Sequence, residues 1–328
     1  MMTLNKENNT QKILVIGACG QIGTELVIAL RNKYGTEKII AADLLEVKPE
    51  LIRDGTYVTL NVMDKLAIEN LVTRHRVTTI YHLAAVLSAS GEKNPSHAWN
   101  LNMLGLINVL DVAKIFGLKV FWPSSIAVFG PTSPKILCPQ HTVTEPKTVY
   151  GTTKLAGEQL CNYYHEQYGV DVRSLRYPGL ISHTTKPGGG TTDYAVDIFY
   201  LALEKGYYNC FLKAETTLPM MYMPDAVRAA MELMETPAEK VKIRTAYNIS
   251  AMSFSPKNLA FAILEHLPEF NIRYQSDARQ LIADSWPSSI DYTDATNQWG
   301  WQPKYDLAAM TADMLQHLAN QNKQVTGK

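Results

Sequence analysis

The sequence lacks an excess of charge of either sign. Its 31 lysine and arginine residues equal its 31 aspartate and glutamate residues, which gives a formal net charge of zero. No basic stripe stands out along the chain, whereas proteins that bind nucleic acid or anionic membranes present one. We therefore predict neither nucleic acid nor a membrane as a partner.

Cysteine is scarce, and its positions do not form a pattern. The sequence contains no CxxC pair and no cysteine/histidine cluster at the spacing of metal ligands; its cysteines are Cys19, Cys138, Cys161 and Cys210. Ligands that lie far apart in sequence form no such pattern. The pattern favours reduced, structural thiols and predicts a mechanism without a metal ion.

Long apolar runs are absent as well. A membrane-spanning helix needs about 20 consecutive apolar residues, and no segment approaches that length. The first eleven residues are polar and lack the apolar centre of a signal peptide. These features predict a soluble, cytoplasmic protein.

In the first half of the chain, short apolar runs alternate with helical patterns. The predicted strands are Ile13–Ile16, Ile39–Asp43, Tyr57–Leu60, Ile80–Leu83, Val120–Ser124 and Val172–Tyr177. The predicted helices are Gln21–Tyr34, Leu66–Arg74, Asn102–Phe116 and Tyr150–Tyr168. Such alternation is typical of an α/β fold whose parallel sheet is covered by helices on both faces.

A glycine-rich turn joins the first predicted strand to the first predicted helix. It reads Gly17-Ala18-Cys19-Gly20-Gln21-Ile22-Gly23. Glycines here permit a tight turn and a close approach of the backbone to a pyrophosphate at the helix N-terminus. Asp43 follows twenty residues after Gly23, at the end of the next strand, where a carboxylate accepts hydrogen bonds from the adenosine ribose and repels a 2′-phosphate. The turn alone would also suit close helix packing, but its position favours a dinucleotide, with NAD preferred over NADP.

The carboxyl ends of the other strands should complete the cofactor pocket, because open α/β sheets bind ligands there. Asn61 and Val62, after the third strand, are predicted to meet the adenine. Leu83, Ala84 and Ala85, after the fourth, are predicted beside the pyrophosphate and ribose. For the two alanines, plain close packing is an equally good interpretation.

Tyr150 and Lys154 are spaced four residues apart, so a helix places them on one face. A lysine ammonium favours the phenolate form of a nearby tyrosine, which can then exchange a proton with an alcohol or carbonyl. A surface pair that merely stabilises a helix is the alternative. The pair Ser124-Ser125, which closes an apolar run ahead of the tyrosine, supports the catalytic interpretation.

These motifs together resemble the short-chain dehydrogenase/reductase superfamily, in particular the extended branch that includes UDP-galactose 4-epimerase. The resemblance covers most of the chain. Its motifs are Gly17-x-x-Gly20-x-x-Gly23, Asp43, His82-Leu83-Ala84-Ala85, Asn102-x-x-Gly105, Pro123-Ser124-Ser125, Tyr150-x-x-x-Lys154, Leu175-Arg176-Tyr177-Pro178-Gly179 and Trp299-Gly300-Trp301-Gln302-Pro303. Within the branch, the segments at 176–182 and 187–195 are similar to the short-chain type of L-threonine 3-dehydrogenase.

The resemblance implies an NAD-dependent oxidation of L-threonine at C3 to L-2-amino-3-oxobutanoate, a step of threonine catabolism. Tyr150 is implied as the general base, and Lys154 as the residue that holds the nicotinamide ribose. Ser125 is implied to hydrogen-bond the reacting oxygen, with Ser124 beside it.

Further positions follow from the same resemblance. Asn102 matches the structural asparagine near the cofactor, and Tyr177 and Ile181 should line the nicotinamide end. A homodimer through the helices at 102–116 and 150–168 is also implied.

The segment from Gly188 to Tyr194 is predicted to close over the substrate. Three consecutive glycines can act as a hinge, and Thr191 and Thr192 can bond polar groups of an amino acid. Ser88, in the loop after the fourth strand, is a further candidate for the amino acid's carboxylate or amine. A passive glycine connector and a turn-forming serine are the respective alternatives.

We predict an NAD-binding Rossmann domain over residues 12–180, a mainly substrate-binding and interleaved part over 181–320, and flexible tails at 1–11 and 321–328. Two other functions stay open at this point. A sugar-nucleotide epimerase or dehydrogenase would use cationic residues, for which the candidates are Arg228, Arg244, Arg273 and Arg279. A non-catalytic NAD-sensing protein would have no chemical need for Ser125, Tyr150 and Lys154 together.

Overall fold

The computed structural model describes residues 12–45, 55–186 and 188–326. The strands within these ranges are β1 (Ile13–Ile16), β2 (Ile39–Asp43), β3 (Thr56–Thr59), β4 (Thr79–His82), β5 (Lys119–Ser125), β6 (Asp171–Tyr177), β7 (Gly179–Ile181), β8 (Tyr207–Cys210), β9 (Leu218–Tyr222), β10 (Tyr247–Asn248), β11 (Met252–Phe254) and β12 (Asn271–Tyr274). Among these described residues, seven strands form one parallel sheet in the order β10-β6-β5-β4-β1-β2-β3.

Helices connect these strands. They are α1 (Gln21–Tyr34), α2 (Lys65–His75), α3 (Ser88–Lys93), α4 (Pro95–Trp99), α5 (Gly105–Phe116), α6 (Val149–Tyr168), α7 (Tyr194–Lys205), α8 (Met223–Glu235), α9 (Pro256–Leu264), α10 (Arg279–Ser285), α11 (Thr293–Trp299) and α12 (Leu307–Thr326). None of the helices in the described ranges combines the length and apolar character that crossing a membrane requires.

The parallel sheet is buried on both faces. Alternate residues of β1 point in opposite directions, so Ile13 and Val15 join the core under α1 and α8, whereas Leu14 and Ile16 join the core under α2, α5 and α6. The strand order reverses between β1 and β4, which opens a crevice at their carboxyl ends. The predicted α/β, Rossmann-type doubly wound fold is confirmed.

The later part of the chain adds two smaller sheets. One has the order β11-β9-β7, and the other pairs β12 with β8. A third core joins α7, α9 and α12 to the turn after β5, around Phe129 and Phe199. Strand β10, which follows the boundary predicted at residues 180 and 181, returns to the edge of the large sheet and pairs with β6. The two predicted parts are therefore interleaved in the fold.

Two local features differ from the expected secondary structure. The helix expected from Asn102 is preceded by a π-helical turn, Asn100–Leu104, and α5 proper begins at Gly105. Helix α12 continues to Thr326, so residues 321–326 are helical where the sequence suggests a flexible tail. The tails predicted at 1–11 and 327–328 lie outside the described residues.

Candidate active site

The glycine turn between β1 and α1 excludes side chains at two positions. Gly17 has a φ of 85°, and a Cβ on it would lie 2.6 Å from the backbone nitrogen of Ala84. A Cβ on Gly23 would lie 2.2 Å from the carbonyl oxygen of Gly17. Gly20 is the N-cap of α1 and has no side chain that could accept a hydrogen bond. No side-chain acceptor at this position therefore competes with a ligand for the amides at the helix N-terminus, near Gln21 and Ile22. This arrangement fits a bound pyrophosphate.

Asp43 ends β2 next to this turn and is buried. One carboxylate oxygen accepts a hydrogen bond from the amide of Cys19 at 2.9 Å, and the other accepts from the amide of Leu45 at 3.0 Å. Two backbone donors therefore fix the carboxylate beside the dinucleotide turn. The Tyr57 hydroxyl, which sequence reasoning missed, donates to the Leu45 carbonyl at 2.6 Å and supports the same loop.

The remaining predicted cofactor residues lie at the same edge of the sheet. Asn61 is exposed, and its side chain accepts from the amide of Met63, which shapes the turn after β3. Val62 is buried and would contact a Cβ at Gly105.

The segment after β4 continues this edge. The amide of Leu83 donates to Ile16 at 2.8 Å, and the backbone of Ala84 backs the glycine turn, while Ala85 is half-buried. The contact at Ala84 supports the close-packing interpretation of that alanine.

Helix α6 carries the tyrosine and lysine. Thr148 caps its N-terminus by accepting from the amide of Gly151 at 3.0 Å. A Cβ on Gly151 would lie 2.2 Å from the carbonyl of Ala127, so glycine lets the helix start directly against the turn that follows β5. Tyr150 thereby meets Ser125. Burial raises the pKa of the Tyr150 phenol to about 12, and the hydrogen bond with Ser125 opposes this rise.

Lys154 is buried one turn after Tyr150. Its ammonium donates to the carbonyl of Pro123 at 2.6 Å and lies 4.5 Å from the ring centre of Trp122 and 5.5 Å from that of Tyr150. Burial lowers the pKa of Lys154 to about 7, while electrostatic interactions with Cys161 and Glu158 oppose the shift. The two predicted residues are therefore brought together, but without a direct hydrogen bond among the described contacts.

Ser124 takes a different position from its neighbour, because successive residues of a strand point to opposite faces. Its hydroxyl donates to the Glu158 carboxylate at 2.5 Å, and this carboxylate also receives both arms of the Arg176 guanidinium, at 2.8 and 2.7 Å. The predicted role of Ser124 at the reacting oxygen therefore gains no support. Glu158 was missed, although it continues the four-residue spacing of Tyr150 and Lys154.

Asn102 lies in the π-helical turn before α5 and is buried. Its amide oxygen accepts from the backbone of Val86 at 2.8 Å, and its amide nitrogen donates to the Val86 carbonyl and to the Thr153 hydroxyl at 3.2 and 3.1 Å. Asn102 thus ties the loop after β4 to helix α6.

The two residues expected at the nicotinamide end are both buried. The ring of Tyr177 packs against Phe121, and its hydroxyl donates to the carbonyl of Ala226 at 2.7 Å. This side chain is directed into the core under α8, so the predicted contact with the nicotinamide ring gains no support from it. Ile181 ends β7 and packs in the core of the later part of the chain.

The segment after β7 approaches the loop after β4. A Cβ on Gly188 would lie 3.4 Å from the side chain of Leu87, the residue before Ser88. Ser88 is buried at the start of α3, and that helix is bonded to the start of α6 through the Glu92 carboxylate, which accepts from the amide of Val149 at 2.7 Å. These contacts bring the predicted substrate segments to the end of α6 that carries Tyr150.

The threonines of the segment follow. Thr191 is buried, and Thr192 packs against Gly179 at the start of β7. The Asp193 carboxylate, which sequence reasoning missed, accepts from the amides of Gly189 and Gly190 and holds the glycine stretch at the N-terminus of α7.

Three comparisons place the chain among known proteins. The profile of the NAD dependent epimerase/dehydratase family matches residues 13–250. An uncharacterised epimerase/dehydratase of Staphylococcus saprophyticus is 48% identical over 315 residues, which are 95% of this chain and 98% of that protein. The solved structure of a GalE-like L-threonine dehydrogenase from Cupriavidus necator, in holo form, is 55% identical with a TM-score of 0.91 and covers 94% of this chain and 99% of its own.

The solved structure of a monomeric L-threonine 3-dehydrogenase from a metagenome, in apo form, is 49% identical to this chain with a TM-score of 0.91. The match covers 94% of this chain and 99% of that chain. The family profile covers more than half of the sequence, and the staphylococcal relative covers nearly all of it. The chain therefore belongs to the NAD dependent epimerase/dehydratase family.

Proposed function

We propose that the protein oxidises L-threonine at C3 to L-2-amino-3-oxobutanoate with NAD as the acceptor. The observation that carries the proposal is the meeting of Ser125, Tyr150 and Lys154 on the sheet edge that also bears the glycine turn. The family's description as NAD dependent, and the names of the two similar solved structures, support the choice of cofactor and substrate.

The residues that would hold NAD are the glycine turn, the first residues of α1, Asp43 and the strand ends at 61–62 and 83–85. When bound, NAD supplies the acceptor for the hydride that leaves C3 of the substrate. The Asp43 carboxylate, held by two amides, accepts from ribose hydroxyls and repels a 2′-phosphate. We expect NAD to be preferred over NADP for this reason.

Tyr150 takes the proton of the C3 hydroxyl. Because burial raises its pKa to about 12, the phenolate needs stabilising partners at neutral pH. The Ser125 hydroxyl is one such partner, and an ammonium on Lys154, 5.5 Å from the ring centre, is another. Ser125 also stabilises the partial charge that develops on the substrate oxygen.

The amino-acid part of threonine is assigned to the two segments that meet near Leu87. Ser88, Thr191 and Thr192 offer hydroxyls, and the stretch at Gly188 offers backbone amides, all groups that bond a carboxylate or an ammonium. Asn102 positions the loop that carries Ser88 by holding Val86.

The arginines considered for a sugar-nucleotide diphosphate are engaged elsewhere. Arg228 pairs with Asp225 and Glu232, Arg244 pairs with Asp171, and Arg279 pairs with Asp277. The remaining one, Arg273, lies over the ring of Tyr207 in the small β8–β12 sheet. These pairings favour a small amino acid over a sugar nucleotide as the substrate.

The test is NADH formation on a panel of threonine, serine, 3-hydroxybutyrate and UDP-sugars. We expect threonine to give the highest kcat/KM and the UDP-sugars to give no net NADH. Turnover of a UDP-sugar without reaction of threonine would overturn the proposal. NAD binding without turnover of any panel member would instead support the non-catalytic alternative.

We also propose a homodimer through helices α5 and α6. Large apolar side chains on and beside these helices face solvent in the single chain; they are Leu104, Ile115, Phe116, Tyr163 and Tyr168. Such exposed apolar surface is typical of an interface. Light scattering after size exclusion should give twice the chain mass; a single-chain mass at micromolar concentration would contradict the dimer.

A further inference from the structure

Two histidines and an aspartate meet where the loop after β7 contacts helix α12. They are His183, Asp313 and His317, and one nitrogen or oxygen atom from each lies within 4.8 Å of those of the other two. Asp313 and His317 are one helical turn apart, with 3.6 Å between Oδ1 of the aspartate and Nε2 of the histidine. None of these residues belongs to the proposed reaction.

The two imidazole rings stack face to face. Their centroids are 4.0 Å apart and their planes differ by 4°. Nδ1 of His183 is buried and has no hydrogen-bond partner within the described part of the chain. A buried imidazole nitrogen without a partner can serve as a metal ligand.

The surrounding residues orient these side chains. The other oxygen of Asp313 accepts from the hydroxyl of the buried Tyr222 at 2.6 Å, which leaves Oδ1 directed toward His317. The carbonyl of His183 accepts from Tyr200 of α7 and Gln321 of α12, both at 3.3 Å. Ligands of protein metal sites are commonly fixed by outer hydrogen bonds of this kind.

A further carboxylate adds negative charge nearby. Glu25 of α1 accepts a hydrogen bond from Ser182, the residue before His183, and its charge interacts with His317.

We propose that His183, Asp313 and His317 bind a divalent transition-metal ion with a preference for imidazole, such as Zn²⁺. Two imidazoles and one carboxylate are a ligand set for such ions and leave a coordination position for water. Tetrahedral Zn–N bonds of about 2.0–2.1 Å require nitrogen atoms roughly 3.3 Å apart, so the stacked rings must turn toward one another. His317 is exposed and can make this turn.

The three proposed ligands belong to two separate segments of the chain. His183 lies between β7 and the glycine stretch at 188–190, whereas Asp313 and His317 belong to α12. A metal ion bound to all three would therefore link this loop to the C-terminal helix. It would act on stability, whichever substrate the active site takes.

The test is a Zn²⁺ titration of the full chain after treatment with a chelator and dialysis. Calorimetry should give one ion per chain, together with a rise in the unfolding temperature. Co²⁺ should bind with the visible spectrum of a low-symmetry complex, and Mg²⁺ should not compete because it prefers oxygen ligands. If no binding is detected at Zn²⁺ concentrations up to about 1 mM, the binding free energy is weaker than about 4 kcal/mol and the proposal is overturned.

Variants assign the ion to these residues. His183→Ala and His317→Ala should each weaken Zn²⁺ binding by about tenfold or more, and Tyr222→Phe, which removes only the outer hydrogen bond, should weaken it measurably. His266→Ala removes another exposed histidine and should leave binding unchanged. The metal-free unfolding temperature of each variant checks its fold. Unchanged binding in both ligand variants, or equal loss in His266→Ala, would place the ion elsewhere.

Discussion

The ammonium of Lys154 is bonded to the carbonyl of Pro123, at 2.6 Å, and not to the phenol of Tyr150. The carbonyl belongs to β5, two residues before Ser125, so strand and helix are joined next to the proposed reacting groups. Because burial lowers the pKa of Lys154 to about 7, this lysine can change its charge near neutral pH. Its charge should be visible in both stability and catalysis.

The first prediction concerns stability against pH. The folded-state pKa of Lys154 is about 7 and its ordinary value is 10.5, so between these values the unfolded chain binds more protons at this site. The free energy of unfolding should therefore rise with pH in that window by up to about 1.4 kcal/mol per pH unit, relative to Lys154→Met. Urea unfolding of both proteins at pH 6 to 10 measures the difference. A difference in the free energy of unfolding that stays constant across that pH range would show that the pKa of Lys154 is not lowered in the folded protein.

The second prediction is that Tyr150→Phe loses turnover by about 10²–10⁴-fold and keeps its affinity for NAD, since only the oxygen that carries the proton is removed. Tyr274→Phe is the matched control, because the side chain of Tyr274 is exposed and the residue lies in β12, outside the proposed active site and the proposed dimer helices. Initial rates of NADH formation and a fluorescence titration with NADH measure the two quantities. A Tyr150→Phe enzyme with near-normal turnover would remove Tyr150 from its proposed role.

The third prediction concerns cofactor choice. Asp43→Asn keeps one oxygen acceptor but loses the negative charge. At most one of the two hydrogen bonds from the amides of Cys19 and Leu45 can then remain. We expect the affinity for NAD to fall by about tenfold or more and the preference for NAD over NADP to become smaller. The ratio of kcat/KM for the two cofactors is the measurement. An unchanged ratio would locate the selectivity in another residue.

Much of this site is visible in the sequence because its motifs are local. The glycine turn, Asp43, and the pair Tyr150 and Lys154 are fixed by short spacings within a strand, a turn or a helix. The structure places each of them at the expected sheet edge.

The direction of individual side chains is harder to predict, because it depends on neighbours that are distant in sequence. Ser124 and Ser125 look equivalent in the sequence, yet the pleat of β5 sends only Ser124 to Glu158. Tyr177 turns into the core because the carbonyl of Ala226, on α8, accepts its hydroxyl. The cluster of His183, Asp313 and His317 is likewise assembled by the tertiary fold, and no spacing rule reveals it.

The fourth prediction tests the buried pair of Glu158 and Arg176. Glu158→Gln leaves the guanidinium buried without its counter-charge, which should lower the free energy of unfolding by roughly 3–5 kcal/mol. It also removes a charge that raises the pKa of Lys154, so that pKa should fall further. The double variant Glu158→Met/Arg176→Met should recover stability, because both buried charges are gone. Chemical unfolding measures all three proteins, and a Glu158→Gln protein as stable as the unaltered chain would contradict the expectation.

The last prediction concerns the segment at 188–194, which we expect to close over bound substrate. Gly189 has a φ of 93°, and its amide donates to the Asp193 carboxylate at 2.7 Å. Proline fixes φ near −65° and has no amide hydrogen, so Gly189→Pro removes both features. We expect turnover with threonine to fall while the affinity for NAD stays nearly unchanged.

Gly206→Pro is the matched control, since Gly206 also has a positive φ, of 66°, and an amide bonded to Ala202, but lies at the far end of α7. If the segment closes, the control unfolds more easily but keeps its kcat for threonine per folded molecule. Hydrogen exchange over residues 188–194, with NAD and then with NAD plus a threonine analogue, follows the closure directly. Protection that does not increase when the analogue is added would show that the glycines are a passive connector between β7 and α7.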